Sequence, residues 1–184
     1  MLISVILCTL NEEKNIASSL DSIISFTLPK DTSIEIIIAD GLSKDGTRKI
    51  LKNFENKYKN IKIIDNEKFF QVHGLNSAIK LSQGSYILWL GAHAFYPKNY
   101  LNELIRSAVS HNTDYVGGVV NTVPYNDSYS ASIVQALTTH KFGIGNSSFR
   151  SGNLIEGPAD TASFGLIKKT IFNRIGYYNE KLIR

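Results

Sequence analysis

One pattern constrains this chain more than any other. Short apolar, β-rich runs alternate with stretches whose apolar residues recur at helical spacing. Leu2-Ile3-Ser4-Val5-Ile6-Leu7-Cys8 is apolar almost without interruption, as a strand covered on both faces must be. Ile16, Leu20, Ile23 and Ile24 follow at helical spacing. The unit then recurs. Ile34–Ala39 is a second strand, and Ile50, Leu51, Phe54 and Tyr58 form a helical face behind Ser43. Ile61–Ile64 precedes the face Val72, Leu75, Ala78 and Ile79, which Gly84 is expected to terminate. Tyr86–Leu90 precedes Pro97 and the stripe Leu101, Leu104, Ile105 and Ala108, and Tyr115–Val120 reads as a fifth strand. Strand–helix alternation predicts right-handed crossovers and an α/β fold with a mainly parallel sheet and helices on both faces.

Composition narrows the class. The chain has 184 residues, 43% hydrophobic and 20% charged, which suits one sizeable core and argues against disorder. No apolar stretch reaches the ~18 residues a spanning helix needs, and Met1-Leu2-Ile3 lacks the basic start of a signal peptide. The net charge of +4 comes from scattered residues. It reads as a mildly basic solvated surface, with attraction to an anionic ligand or membrane face as the functional alternative. Cys8 lacks an internal disulfide partner and is expected in the core, in keeping with a reducing, cytoplasmic setting. Lys57-Tyr58-Lys59 and Lys68-Phe69-Phe70 interleave basic and aromatic residues. They read as helix ends and partial core, not as a nucleic-acid surface.

Ligands on such sheets bind outside the carboxyl ends of the strands. Polar residues gather there: Thr9, Asn11 and Glu12 after the first strand, then Asp40, Ser43 and Asp45 after the second. Each has a structural reading too. Thr9 with Glu12 has capping-box spacing, Asn11 is a rival N-cap, Ser43 can cap the second helix, and Asp45-Gly46 is a turn pair. Neither G-x-G-x-x-G nor G-x-x-x-x-G-K-[ST] is present, so a dehydrogenase or P-loop enzyme is disfavoured. A nucleotidyltransferase is disfavoured by the lack of glycine between Thr9 and Lys14. His73, His93, His111 and His140 lack zinc spacing. Beyond Pro124, residues 125–165 are rich in Ser, Gly, Asn and Thr. A helix over Ser130–Phe142, a loop over Gly143–Gly152, a strand over Phe164–Ile167 and a short helix over Thr170–Ile175 are predicted there.

Ser4-Val5-Ile6-Leu7-Cys8-Thr9-Leu10-Asn11-Glu12-Glu13 resembles the opening of family 2 glycosyltransferases. Glu35–Thr47 resembles their second strand and its loop, and Leu75–Ile79 with Gly84–Ile87 their approach to the fourth strand. Val116–Val119, Phe142–Ser147 and Asp160-Thr161 resemble the branch that includes succinoglycan-type chain-building enzymes. The resemblance implies a GT-A fold over residues 1–184, with a nucleotide-sugar half at 1–123 and an incomplete acceptor half at 124–184. It implies transfer of a sugar, with inversion, from a nucleotide-diphosphate donor, a UDP-sugar foremost, in surface polysaccharide biosynthesis. The acceptor would be a saccharide or a lipid-linked one, the latter bringing peripheral contact with the inner face of the cell membrane.

By the same resemblance, Thr9, Asn11 and Glu12 line the nucleotide pocket, Asp40 bonds the base, Asp45 lies near the ribose or base, and Asn76 borders the pocket. The family's D-x-D or D-x-H metal motif falls on Gly91-Ala92-His93. The first carboxylate is missing, and His93 is left as a metal ligand. Imidazole favours Mn²⁺ over Mg²⁺ as the divalent cation. The family's general base lies in an acidic cluster that would fall after Arg184, and Asp160 is the acceptor-side candidate. The two departures leave an alternative: a nucleotide-sugar-binding module with weak turnover or none.

Overall fold

The computed structural model describes residues 1–124, 126–145, 148–150 and 156–182. Six strands form one sheet: β1 (Leu2–Thr9), β2 (Ser33–Asp40), β3 (Ile61–Asp65), β4 (Tyr86–Gly91), β5 (Tyr115–Gly118) and β6 (Ser163–Lys168). Their spatial order is β3-β2-β1-β4-β6-β5. The first four strands are mutually parallel, whereas β6 runs antiparallel to both β4 and β5. The helices are α1 (Ile16–Ile24), α2 (Thr47–Lys57), α3 (Gln71–Leu81), α4 (Tyr100–Ser110), α5 (Tyr129–Thr139), α6 (Lys141–Ile144) and α7 (Thr170–Ile175).

The alternation of side chains along a strand sorts the core into two layers. Ile3, Val5 and Leu7 of β1 point to the layer filled by Ile16, Leu20 and Ile23 of α1, Leu51 of α2, and Leu101 and Leu104 of α4. Ile6 points to the opposite layer, with Leu75, Ala78 and Ile79 of α3 and Phe172 of α7. Both layers are closed, which is why β1 and β2 carry near-continuous apolar sequence. Cys8 packs at the edge of the second layer and is only partly buried. Its surroundings push the thiol up to about 12, so it is an unreactive packing residue at neutral pH.

Several local expectations are corrected. The capping box does not form: α1 begins at Ile16 behind Asn15, while the Thr9 hydroxyl turns to β2. Ser43 does not cap α2, which begins four residues later at Thr47. Gly84 does not end α3, which stops at Leu81. It lies where a Cβ would come within 2.6 Å of the Ser4 backbone, so the crossing into β4 needs the missing side chain. The predicted helix over 130–142 divides into α5 and α6. Part of the predicted loop over 143–152 lies outside the described residues. The predicted fifth strand ends at Gly118, and β6 inserts between β4 and β5, a long-range pairing that no local pattern encodes.

Candidate functional site at the carboxyl rim of the sheet

Parallel strands deliver their carboxyl ends to one edge. β1 and β2 are in register to their last residues, Thr9 opposite Asp40, and Cys8 is opposite Gly91 at the end of β4. The β1–α1 and β2–α2 loops therefore leave side by side, and they interlock. Gly41 N–H donates to Thr9 O at 2.8 Å. Asn11 N–H donates to Ser43 Oγ at 2.9 Å, and Lys44 N–H returns a bond to Asn11 Oδ1 at 2.9 Å. Glu12 N–H donates to Thr47 Oγ1 at 2.8 Å. Glu13 N–H donates to Asp45 Oδ2 at 3.1 Å, and Gly46 N–H to a Glu13 carboxylate oxygen at 3.0 Å. The orphan amides of two loops are thus satisfied by each other's side chains, as exposed loop backbone requires.

Asp40 is the centre of this network and is 0% exposed. Oδ1 accepts from Thr9 Oγ1 at 2.9 Å and Ser43 Oγ at 2.5 Å. Oδ2 accepts from Ser43 N–H at 3.0 Å and Arg48 Nη1 at 2.8 Å. Four donors fill the acceptor capacity of a carboxylate, so a nucleobase N–H finds no free lone pair on it. Arg48 also reaches Asp65 at 2.7 Å. Asp65, then Asp40, raises the guanidinium above its ordinary range against the opposing effect of desolvation, which ties the end of β3 to β2. Asp45 is exposed, and its carboxyl is held below the usual carboxylate range, first by the Thr47 side chain.

Three of the six left-handed non-glycine residues among the described residues follow strand ends at this edge. Asn11 (φ 56°), Leu42 (φ 56°) and Phe69 (φ 64°) follow β1, β2 and β3, and all are left-handed non-glycine residues. Such conformations cost about 1–2 kcal/mol each and gather where surrounding structure fixes them for a purpose. Phe69 is also 53% exposed, with Phe70 and Leu10 exposed nearby. The Phe69 carbonyl and Leu10 Cδ1 both lie over Gly41, 3.4 and 3.3 Å from where a Cβ would stand. Buried Asn66 holds the Phe69 turn: its amide bonds Phe70 O at 2.9 Å, and its N–H bonds Asp40 O at 2.8 Å. The Lys68-Phe69-Phe70 run is therefore exposed rim, not the partial core its composition suggested. Neither Asn66 nor Phe69 is among the residues expected from sequence, although Asn66 carries the same signal as Asn11 and Asp40, a polar residue at a strand's carboxyl end.

The end of β4 differs from its expected metal motif. Gly91 N–H donates to Tyr96 Oη at 2.7 Å, and Tyr96 Oη donates to Gly91 O at 3.1 Å. A Cβ on Gly91 would stand 3.0 Å from the Phe164 ring. The position thus lacks a carboxylate and has little room for one. His93 lies on the following turn, 66% exposed, with Nδ1 3.0 Å from Glu12 Oε1. Among the described residues, no three His, Cys, Asp or Glu side chains gather as a metal cluster. The residues present at this turn are one carboxylate and one imidazole, joined as a hydrogen-bonded pair.

Thr9, Asn11, Glu12, Asp40, Asp45 and His93 thus belong to one linked edge. Asn76 does not join it. Its amide bonds Tyr178 O at 2.9 Å and Glu180 Oε1 at 3.1 Å, and its carbonyl accepts Tyr178 N–H at 3.0 Å. It clamps the segment after α7 onto α3, where Glu180 also meets His73 at 2.9 Å and Lys68 at 3.4 Å. Asp160 is exposed in the stretch leading into β6. That strand runs antiparallel to β4, so this stretch enters the sheet beside Gly91.

A doubly covered, mixed α/β sheet with a polar, strained rim at three parallel strand ends defines a Rossmann-like, GT-A-type protein. The model of the family described as "Glycosyl transferase family 2" matches residues 4–176, and the chain belongs to that family. It is 32% identical over 172 residues to the dolichyl N-acetyl-alpha-D-glucosaminyl phosphate 3-beta-D-2,3-diacetamido-2,3-dideoxy-beta-D-glucuronosyltransferase of Methanococcus voltae, covering 86% of this chain and 53% of that protein. It is 29% identical over 170 residues to the succinoglycan biosynthesis protein ExoA of Rhizobium meliloti, covering 90% and 51%. The fold matches S. aureus TarS 1-349 in complex with UDP-GlcNAc, with TM-score 0.70, 18% identity and coverage of 97% and 49%. It also matches mannosyltransferase PcManGT from Pyrobaculum calidifontis in complex with GDP-Man and Mn2+, with TM-score 0.69, 20% identity and coverage of 96% and 47%. The chain spans about half the length of these relatives. No helix among the described residues is long and apolar enough to cross a membrane.

Proposed function

We propose that this rim binds the nucleoside diphosphate of an activated sugar, a UDP-sugar foremost, and presents the sugar for inverting transfer to a saccharide or lipid-linked acceptor in surface polysaccharide assembly. The observation that carries the reading is the convergence of three strained strand-end turns around one saturated carboxylate. Such a rim is preorganised at a cost, and preorganised polar edges of α/β sheets are ligand sites. UDP-GlcNAc in TarS supports the choice of ligand, and GDP-Man in PcManGT supports the wider class of nucleotide-sugar donors.

The residues divide by role. Thr9, Asp40, Ser43 and Arg48 fix the shape of the rim, and Asp40 acts through that shape and not by touching the base. The exposed ring of Phe69 offers the base a stacking face, which nucleobases accept at about 1–3 kcal/mol. Asn11 and Asp45 bound the ribose side. Residues 1–123 form the donor half and residues 124–184 part of the acceptor half, which holds Asp160. Departure of the diphosphate loads it with negative charge, which a bound cation neutralises. Transfer also needs a base for the acceptor proton, and Asp160 is the candidate on the acceptor side.

Calorimetric titration with UDP and UDP-N-acetylglucosamine, with and without Mn²⁺, tests the donor reading. Saturable binding is expected, and its absence for both ligands overturns it. A second reading, a donor-binding module without turnover, is favoured by Gly91. Release of UDP from the sugar nucleotide in the presence of acceptor glycans removes that alternative.

A further inference from the structure

We infer that Glu180 is a positioning residue for the nucleotide site: from the acceptor half, it fixes the β3–α3 turn that presents Phe69. The inference rests on the donor reading above, in which the Phe69 ring stacks on the base. It goes beyond that reading by making a residue of the other half responsible for where the ring stands. The turn needs such support. Phe69 is left-handed at φ 64° and 53% exposed, so neither backbone preference nor burial holds it in place. On the inner side, Asn66 ties the turn to Phe70 O and Asp40 O.

The outer grip comes from 112 residues beyond Lys68. Glu180 Oε2 lies 3.4 Å from Nζ of Lys68, the residue before Phe69, and 2.9 Å from Nδ1 of His73, in the first turn of α3. One carboxylate oxygen thus bridges the two flanks of the Phe69-Phe70 turn. The mostly buried His73 ring also packs on Phe70, with centroids 6.5 Å apart. Surface ion pairs contribute little when both side chains must first be ordered, but Glu180 is ordered by other contacts. Its Oε1 accepts from Asn76 Nδ2 at 3.1 Å. The same carboxamide bonds both the N–H and the carbonyl of Tyr178, whose ring packs against Phe172 with centroids 5.9 Å apart. Asn179 then closes a turn: its Oδ1 accepts Lys181 N–H and its carbonyl accepts Leu182 N–H, both at 3.0 Å. The carboxylate is therefore delivered on a fixed backbone, and its attraction for Lys68 and His73 acts on the turn. Asn76 gains a role as well. It stands away from the rim, yet it orients the group that shapes it.

A double-mutant cycle, read by calorimetric titration with UDP, tests this. Titration in about 0.15 M salt screens the general change in charge beyond about 8 Å. Glu180→Gln keeps an acceptor for the Asn76 amide and removes the charge facing Lys68 and His73. The side chain is 40% exposed, so the variant should fold. In the wild-type background it is expected to weaken UDP about three- to fivefold. In the Phe69→Gly background, where the turn has no ring left to place, the same substitution should change UDP affinity by less than about 1.5-fold. A general structural contribution would act equally in both. Unchanged or tighter UDP binding by Glu180→Gln, or an equal loss in both backgrounds, overturns the inference and leaves the donor reading standing. So does a Phe69→Gly variant that binds UDP like wild type. Failure of the wild-type protein to bind UDP overturns both.

Discussion

The carboxyl rim and the described residues between Val119 and Ala162 are built in opposite ways. At the rim, the β1–α1 and β2–α2 loops are fixed by reciprocal side-chain-to-backbone bonds, and a carboxylate at 0% exposure accepts four bonds, three from side chains and one from a backbone N–H. In the later stretch, α5 is regular and capped by Ser128, whose hydroxyl accepts from Ala131 N–H at 3.3 Å, yet it buries no residue. Tyr129, Val134, Leu137 and Phe142 are exposed. What separates the two is whether each side chain finds a partner among the described residues.

The largest expected effect lies at the centre of the rim. Asp40→Ala strands the Arg48 guanidinium, two hydroxyls and an amide. Removing one member of a buried charged pair costs about 3–5 kcal/mol, and Arg48 is partly exposed and keeps Asp65, so about 3 kcal/mol is expected. Urea denaturation followed by circular dichroism measures it. A loss below about 1 kcal/mol would show that the network is ornamental and erase the contrast between the two regions.

Phe69→Gly separates strain from function. Glycine adopts φ 64° without the left-handed penalty of about 1–2 kcal/mol, less about 0.5–1 kcal/mol for its greater freedom in the unfolded chain. The variant should be unchanged or up to about 1.5 kcal/mol more stable, while loss of a stacking face worth about 1–3 kcal/mol weakens UDP at least about fivefold. Thermal denaturation and calorimetry read the two effects. Lower stability with unchanged affinity would make Phe69 a structural residue.

Much of this was legible in sequence. Strand-length apolar runs and helical stripes revealed the alternating order, and the rule that ligands gather at strand ends located Thr9, Asn11, Glu12 and Asp40 on one edge. What was not legible depends on partners far away in the chain. Nothing near Asp40 announces that Thr9 and Arg48 will saturate it. Asn76 sits in a helix pattern, and its partners, Tyr178 and Glu180, are about a hundred residues later. The insertion of β6 between β4 and β5 is likewise a tertiary event. Local chemistry was read correctly as polar and strand-terminal, but its use required coordinates.

That long-range clamp gives a pH prediction. The Asn76 amide foremost, with Lys68 and His73 adding less, lowers the Glu180 carboxyl below its ordinary range, against a desolvation that outweighs each single contribution of the latter two. A depressed carboxylate stabilises the fold above its unfolded value, about 4.3, and that contribution disappears as pH falls through the folded value. Amide exchange in residues 177–182 should therefore be slow at pH 6–7 and accelerate below about pH 4. Glu180→Gln should exchange more alike at both values, once intrinsic rates are corrected. An unchanged pH response in the variant would move the clamp's weight to the Asn76 amide.

The smallest effect is expected in α5, and smallness is what the comparison requires. Val134 and Leu137 are more than half exposed, so replacing either with serine forfeits little buried area. Serine's lower helix propensity accounts for a few tenths of a kcal/mol, and surface substitutions fall within about ±0.5 kcal/mol. Denaturation midpoints of Val134→Ser and Leu137→Ser should thus stay close to wild type, with UDP affinity unchanged. A loss above about 1.5 kcal/mol would mean that α5 is covered in solution, as a core position is and an exposed one is not. Concentration dependence of that loss would then distinguish burial between copies from burial within one, because only the former follows mass action.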